Sequence, residues 1–269
     1  MNYNYHTHTF LCGHATGTPE EYILEAINGG IRYMGFSDHA PHTCKNGQEG
    51  GFRVPMAKAK DYVNDLNALR NKYADKIDIK IGFEMEYFPE SFDEMLDTVK
   101  NFGAEYLILG EHFMHDELPD GVHATRGGDS VELLDEYVYC VTSAMKSGAF
   151  SYIAHPDMYK FTGDKSVFLN KMRDICKASA KYNVPLEINF LGIRDNRHYP
   201  DDGFLAVAGE EKCPMTFGFD AHDIKSACDL ASYEKAMDKV QKYGTPRQAQ
   251  GEVENPAHVV RTCVSLAEK

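Results

Sequence analysis

The sequence is short of positive charge. Its 28 Lys and Arg stand against 41 Asp and Glu, a formal net charge of −13. That balance argues against a nucleic-acid-binding surface and against attachment to an anionic membrane. There is no apolar run near the roughly 20 residues of a membrane span. No basic stretch leads into an apolar one at the start of the chain, so no signal peptide is expected either. None of the seven cysteines forms a C-x-x-C pair, and their number is odd. Reduced thiols and a cytoplasmic location are therefore expected rather than a disulfide framework. Repeats, low-complexity runs and domain linkers are also missing, so residues 1–269 read as one domain.

Histidine, by contrast, is plentiful, with 12 in 269 residues, and its placement follows the predicted elements. Residues 1–8 read as a short strand in which His6 and His8, two apart, project the same way. His14 follows in a small-residue loop and can fold back toward them. Further strands are predicted at 31–37, 77–83, 106–109, 152–154, 185–190 and 215–219. Helices are predicted at 19–30, 56–73, 131–146, 167–182, 232–243 and 256–267, with another helical face from Phe92 to Phe102. Thr18 is the expected N-cap of the first helix, with Pro19 in its first turn and Gly29-Gly30 at its end. Seven strands alternating with helices imply βαβ units and a parallel sheet. Stretches 41–55 and 112–129 read as long irregular loops, a length that usually carries function.

The residues with metal-binding chemistry gather at strand ends. His6 and His8 end the first strand, Asp38 and His39 the second, and Glu84 the third. His112 follows the fourth, His155 the fifth, and Asp220 with His222 the seventh. In a parallel barrel those C-terminal ends meet at one mouth, where active sites sit. Glu86 points the same way as Glu84 in a strand, and Glu84 is the preferred ligand of the two. Nine or ten candidates exceed one metal's needs; two or three divalent ions suit the count, with a carboxylate bridging. Imidazole-rich ligation suits Zn, Mn or Fe. His42, His115, His123, His198 and His258 read as solvated or supporting residues.

These motifs, His6-Thr7-His8-Thr9, Ser37-Asp38-His39, Gly82-Phe83-Glu84, Gly110-Glu111-His112, Ala154-His155-Pro156-Asp157 and Phe219-Asp220-Ala221-His222-Asp223, resemble in order those of the polymerase-and-histidinol-phosphatase (PHP) superfamily. Cys12-Gly13-His14-Ala15-Thr16-Gly17-Thr18, Gly35 to Pro41, Glu84 to Pro89 and Glu187-Ile188-Asn189 are similar to its histidinol-phosphate phosphatases. The resemblance implies a distorted (β/α)7 barrel with a trinuclear site at the C-terminal ends of the strands. By that likeness His6, His8, Glu84 and Asp220 hold the first ion. Glu84, His112 and His155 hold the second, and His14, His39 and His222 the third. It further implies hydrolysis of L-histidinol phosphate, a small phosphate monoester, to L-histidinol and phosphate, with Asp38, Glu84 and Asp220 as the catalytic carboxylates. Where the family tends to place an arginine after His155-Pro156-Asp157, this chain offers Lys160, which keeps the charge without the bidentate fork.

Charge supports that chemistry. Three divalent ions less the charges of Glu84 and Asp220 leave a site of about +4, able to hold a phosphate dianion inside an acidic protein. Metals bridging a water lower its pKa toward roughly 7. His42, Lys160, Arg194 and Arg197 are candidate phosphate contacts. Glu117, Asp116 and Asp157 are candidates for the substrate amine, and Asp38 either orients a metal-bound histidine or relays a proton. Competing readings are a nucleotide or phosphotyrosine phosphatase on the same metals, an amidohydrolase-like deaminase or lactonase, and a non-catalytic metal-binding module. The amidohydrolase reading lacks a metal-bridging lysine at a strand end. Oligomeric state is not readable from the sequence.

Overall fold

The computed structural model describes residues 1–118 and 121–244. Its strands are β1 (Tyr3–Asn4), β2 (Tyr33–His39), β3 (Asp78–Met85), β4 (Tyr106–Leu109), β5 (Phe113–Met114), β6 (Val122–His123), β7 (Tyr152–Ile153), β8 (Leu186–Asn189) and β9 (Met215–Gly218). Seven of them form one parallel sheet in the order β1-β2-β3-β4-β7-β8-β9. The sheet curls until its ends meet. Thr7 and Ala221 form a parallel bridge, the amide of His8 donates to the Ala221 carbonyl at 3.0 Å, and the amide of Ala221 donates to the His6 carbonyl at 3.1 Å. The result is the distorted (β/α)7 barrel expected from the sequence.

The pleat sorts the side chains into two cores. Tyr3, Tyr5, Tyr106, Ile108, Tyr152 and Ala154 form a small inner cluster. It is cross-linked by a Tyr3–Thr216 hydroxyl hydrogen bond at 3.2 Å and by the Tyr106 hydroxyl donating to the Tyr5 carbonyl at 2.9 Å. Alternate residues such as Phe36, Ile81, Leu107, Ile153, Ile188 and Phe217 join the larger core beneath the helices. These helices are α1 (Pro19–Asn28), α2 (Ala59–Lys72), α3 (Phe92–Phe102), α4 (Val131–Ser147), α5 (Lys165–Tyr182), α6 (Phe190–Arg194), α7 (Asp202–Glu211) and α8 (Leu230–Tyr243). The capping of α1 is as expected: Thr18 and Glu21 satisfy each other's amides in a capping box, and Pro19 sits in the first turn. No helix of the described residues is long and apolar enough to cross a membrane. Cys12, Cys44, Cys140, Cys176, Cys213 and Cys228 are free thiols.

Three expectations need adjustment. The first strand is shorter than residues 1–8, because the Asn4 side chain accepts from the His6 amide at 3.0 Å and replaces the ladder there. Part of the 112–129 stretch is an antiparallel hairpin, β5 with β6. Helices α6 and α7 were not anticipated: the strand expected to reach residue 190 stops at Asn189, whose side chain accepts from the Gly192 amide at 2.8 Å and starts α6, and Asp201 starts α7 by accepting from the amides of Gly203 and Phe204. The helix expected at 256–267 lies outside the described residues.

Candidate metal centre

Glu84 is the hub at the barrel mouth. It is buried, and its two oxygens face different imidazoles. Oε1 lies 2.9 Å from His155 Nε2, 3.5 Å from His6 Nε2 and 3.6 Å from His112 Nε2. Oε2 lies 3.2 Å from His39 Nδ1 and 3.5 Å from His8 Nε2. Asp220 Oδ1 approaches the same two N-terminal histidines, 3.6 Å from His6 Nε2 and 3.3 Å from His8 Nε2. His14 and His222 stack at 4.6 Å between ring centroids, with His39 5.4 Å from His14. Room for the hub depends on a missing side chain: a Cβ on Gly110 would lie 2.1 Å from Glu84 Oε1.

These donors fall into groups compact enough to hold a cation. His6 with His8 and Glu84, His6 with His155 and Asp220, His39 with Glu84 and His112, and His14 with His39 and His222 each bring their ligand atoms within 4.8 Å of one another. His8, Cys12 and His222 form a further such group. The chemistry of the set fits divalent transition ions. His6 Nε2, His8 Nε2, His39 Nδ1, Glu84 Oε2 and His222 Nε2 are buried without a hydrogen-bond partner, a costly arrangement for polar atoms unless a ligand satisfies them. All nine residues expected as ligands are in this cluster, and Glu84 rather than Glu86 is its centre.

The far side of several of these imidazoles faces a supporting group, of which only Asp38 was expected from the sequence. His6 Nδ1 contacts Glu187 Oε1 at 2.8 Å, His8 Nδ1 lies 3.4 Å from Asp38 Oδ1, and His112 Nδ1 contacts Glu86 Oε1 at 3.1 Å. Glu187 also accepts from the His155 amide at 3.0 Å and from Asn189 at 2.8 Å. A Cβ at position 218 would sit 1.4 Å from its carboxylate, so only glycine leaves that path open. Glu86 is tied by a 2.6 Å ion pair to buried Arg53, whose Nε donates to Glu117 Oε2 at 2.7 Å. On the other side, His14 Nδ1 meets the Cys12 carbonyl at 3.0 Å and His222 Nδ1 the Asp220 carbonyl at 3.2 Å.

The protonation preferences follow. Burial alone depresses His8, but Asp220, Asp38 and Glu84 outweigh it and raise the imidazole to about 9. His6 is raised well above the ordinary range, burial being overcome by Glu187, Asp220 and Glu84; His112 is raised by Glu84 and Glu86 in the same way. Burial, reinforced by the charge of His8, lowers His14, His39 and His222. Glu84 and Asp220 are held well below the usual carboxylate range. In both, surrounding histidines overcome burial.

A cavity of about 750 Å³ opens over the cluster. Its floor includes His39, Glu84, His112, Asp220 and His222, and its walls include Phe52, His123, Met158, Leu191 and Tyr199. Arg194, Asp195, Arg197 and Asp223 supply its other charged groups. The Gly-rich 41–55 loop contributes Phe52, packed edge-on against the His39 ring at 4.9 Å.

The expected substrate contacts divide sharply. Arg194 and Arg197 line the cavity, but Arg194 is spent on Asp229 at 2.8 Å and on the Asp220 carbonyl at 3.4 Å. His42 and Glu117 do not line it: His42 Nε2 contacts Asp116 at 2.9 Å, and Glu117 neutralises Arg53. Lys160 is exposed and is not part of the lining either. Asp116 is engaged by His42 and the Lys45 amide. Asp157 is buried, pushed up to about 7 by desolvation, and accepts from the Asp201 amide at 2.5 Å. Asp38 is buried, accepting from the Thr9 amide and hydroxyl and from the His39 amide. His123, expected to be a bystander, is a wall of the cavity. Proximity to a strand end did not separate residues that turn into the mouth from those that tie neighbouring loops together.

Buried imidazoles and carboxylates converging beneath an open cavity, at the C-terminal mouth of a parallel barrel, form a candidate metal centre placed where barrel enzymes carry their active sites. The chain belongs to the PHP domain family, which matches residues 4–190. It is 25% identical over 255 residues to the histidinol-phosphatase of Lactococcus lactis, covering 90% of this chain and 91% of that protein. With the histidinol-phosphatase of Bacillus subtilis it shares 24% identity over 247 residues, 81% of this chain and 92% of the relative. Among solved structures, the histidinol phosphate phosphatase of Lactococcus lactis, complexed with zinc, L-histidinol and phosphate, superposes with a TM-score of 0.68 at 20% identity, covering 91% of this chain and 94% of that one. That likeness establishes the shared fold.

Proposed function

We propose that this protein is a metal-dependent phosphomonoesterase that hydrolyses L-histidinol phosphate to L-histidinol and phosphate. The observation that carries the reading is the convergence of five imidazoles on the two oxygens of Glu84, with the facing nitrogens of His6, His8 and His39 unpartnered, beneath a cavity large enough for a small phosphate ester. The ligand sets are His6, His8, Glu84 and Asp220; Glu84, His112 and His155; and His14, His39 and His222. Two to three divalent ions of the Zn, Mn or Fe type would supply positive charge for the phosphoryl oxygens and an acidified water.

The chain's own residues do the rest. Glu84 and Asp220 provide the anionic charge that fixes the cations. Glu86 and Glu187 keep His112 and His6 in one tautomer, with the other nitrogen aimed at the hub, and the charge of Asp38, 3.4 Å from His8 Nδ1, favours the same orientation of His8. Arg197 is the cavity's available guanidinium for phosphoryl oxygens, its Nη1 donating to the Tyr199 hydroxyl at 2.9 Å. Arg194 supports the turn that carries Asp220. Phe52, Leu191 and Met158 exclude water around the ester.

The test is metal analysis together with phosphate release from histidinol phosphate, a nucleoside monophosphate, phosphotyrosine and an aryl phosphate. Histidinol phosphate should give the highest kcat/KM. A higher value for any other member of the panel overturns the substrate, and full activity in strong chelator overturns the chemistry.

A further inference from the structure

The cavity holds four carboxylates. Glu84 and Asp220 belong to the metal cluster. Asp223 is consumed by Ser226, accepting from its amide at 3.0 Å and its hydroxyl at 2.8 Å. That leaves Asp195, whose carboxylate meets one partner, Arg197 Nη2 at 3.0 Å, with both side chains still partly open to solvent at 44% and 38% exposure.

The turn that pairs them is rigidly built. Asp195 closes α6 with its amide on the Leu191 carbonyl at 2.9 Å, Asn196 takes a left-handed φ of 52°, and the Arg197 amide returns to the Gly192 carbonyl at 2.9 Å. Arg197 is anchored at its other end by Tyr199, whose ring lies 5.9 Å from that of His155 and is 1% exposed. The guanidinium is therefore linked through Tyr199 to the histidine cluster, and it and the Asp195 carboxylate both line the cavity.

A site for a plain phosphate ester gains nothing from that carboxylate. An anion adjoining the phosphate-binding arginine repels the dianion it should attract. The arrangement suits a ligand that carries its own cation close to its phosphate, because such a ligand exchanges one internal ion pair for two external ones. We infer that Asp195 is the specificity residue of the site: it receives the ammonium of a phosphate ester of a vicinal amino alcohol while Arg197 receives the phosphate. The inference rests on the phosphomonoesterase reading above and narrows its substrate class. It also replaces Glu117, Asp116 and Asp157 as the partner of the amine, since none of those three lines the cavity.

Two matched pairs test it on the zinc-loaded enzyme: histidinol phosphate against 3-(imidazol-4-yl)propyl phosphate, which lacks only the amine, and O-phosphoethanolamine against ethyl phosphate. Wild type should prefer the amine-bearing member of each pair by about tenfold or more, the usual worth of one charge-assisted contact. In Asp195→Asn that preference should vanish, mainly through KM for the amine-bearing esters, with the amine-free esters unchanged or improved. Asp195→Glu should restore part of it. Zinc content and Tm equal to wild type show that the fold and metal cluster are intact. If Asp195→Asn slows both members of a pair equally, or neither, the assignment is overturned while the phosphomonoesterase reading stands. If wild type leaves histidinol phosphate untouched, the functional reading fails, and the ethanolamine pair alone decides the role of Asp195: equal turnover of its two members sinks it.

Discussion

The two sides of the histidine cluster are supported differently. His6, His8 and His112 lean on Glu187, Asp38 and Glu86, all buried carboxylates. His14 leans on the backbone carbonyl of Cys12, His222 Nδ1 is shared at 3.2 Å between the carbonyl of Asp220 and its carboxylate, which also faces His6 and His8, and both rings are more open to the cavity. A charged acceptor behind an imidazole makes its other nitrogen a stronger donor and fixes its tautomer; a neutral carbonyl does so less. On the proposed reading, the side of His6, His8 and His112 should therefore hold its ions more tightly. The side of His14 and His222, with the weaker backing and the greater exposure, should release its ion first. His39 belongs to groups on both sides.

Glu84→Gln should have the largest effect, because Glu84 serves both sides at once. Metal should be lost from both, and kcat/KM on histidinol phosphate should fall by roughly three orders of magnitude. Full metal content with near-normal turnover would remove Glu84 from the bridging role.

Glu187→Gln attacks one side only. The variant should bind the ion at His6 about 10–100-fold more weakly, the typical worth of such a supporting carboxylate. In wild type, graded chelation followed by metal analysis should strip the His14, His39 and His222 group first. The variant should narrow or reverse that order. A wild-type protein that surrenders its His6-side ion first contradicts the comparison.

The smallest effect is in the metal-free protein, where the two sides should respond to pH with opposite sign. His8 is raised to about 9, above an unfolded value near 6.5. Its contribution to stability is full below 6.5 and is lost as pH rises through 9. His14, His39 and His222 are lowered, so theirs is present above 6.5 and lost as pH falls below it. The Tm of chelated protein should peak near neutrality and decline toward both pH 5 and pH 9. A steady rise from 6.5 to 9 would show that the carboxylates do not hold the histidines as described.

The strand ends, and with them the ligand cluster, were legible because a parallel barrel converts position along a strand into position in space. His6, Glu84, His155 and Asp220 could be gathered on that rule alone. Of what supports the cluster, only Asp38 was legible. Glu187 lies mid-strand in β8, and only the bare Gly218 beside it lets its carboxylate reach His6. Glu84 and Glu86 have the same parity. They part because β3 ends at Met85, after which Glu86 turns behind His112. Glu117 looked like a free carboxylate near the mouth, and its Arg53 partner lies 64 residues earlier in the chain. Pairings of that kind depend on how two loops meet, which no local pattern encodes.

The seam that closes the barrel bears on how the protein is made. The last link of the ring joins His8 to Ala221 and Ala221 to His6, residues interleaved with those proposed to grip the metals. While a ribosome is still producing the β8 segment, His6 and His8 have no opposite bank, and Asp220 and His222 do not yet exist. Uptake of metal by those four side chains must therefore wait until synthesis has passed residue 222. Joining segments so far apart is slow and entropically uphill, and ions bound across the seam would act as its rivet.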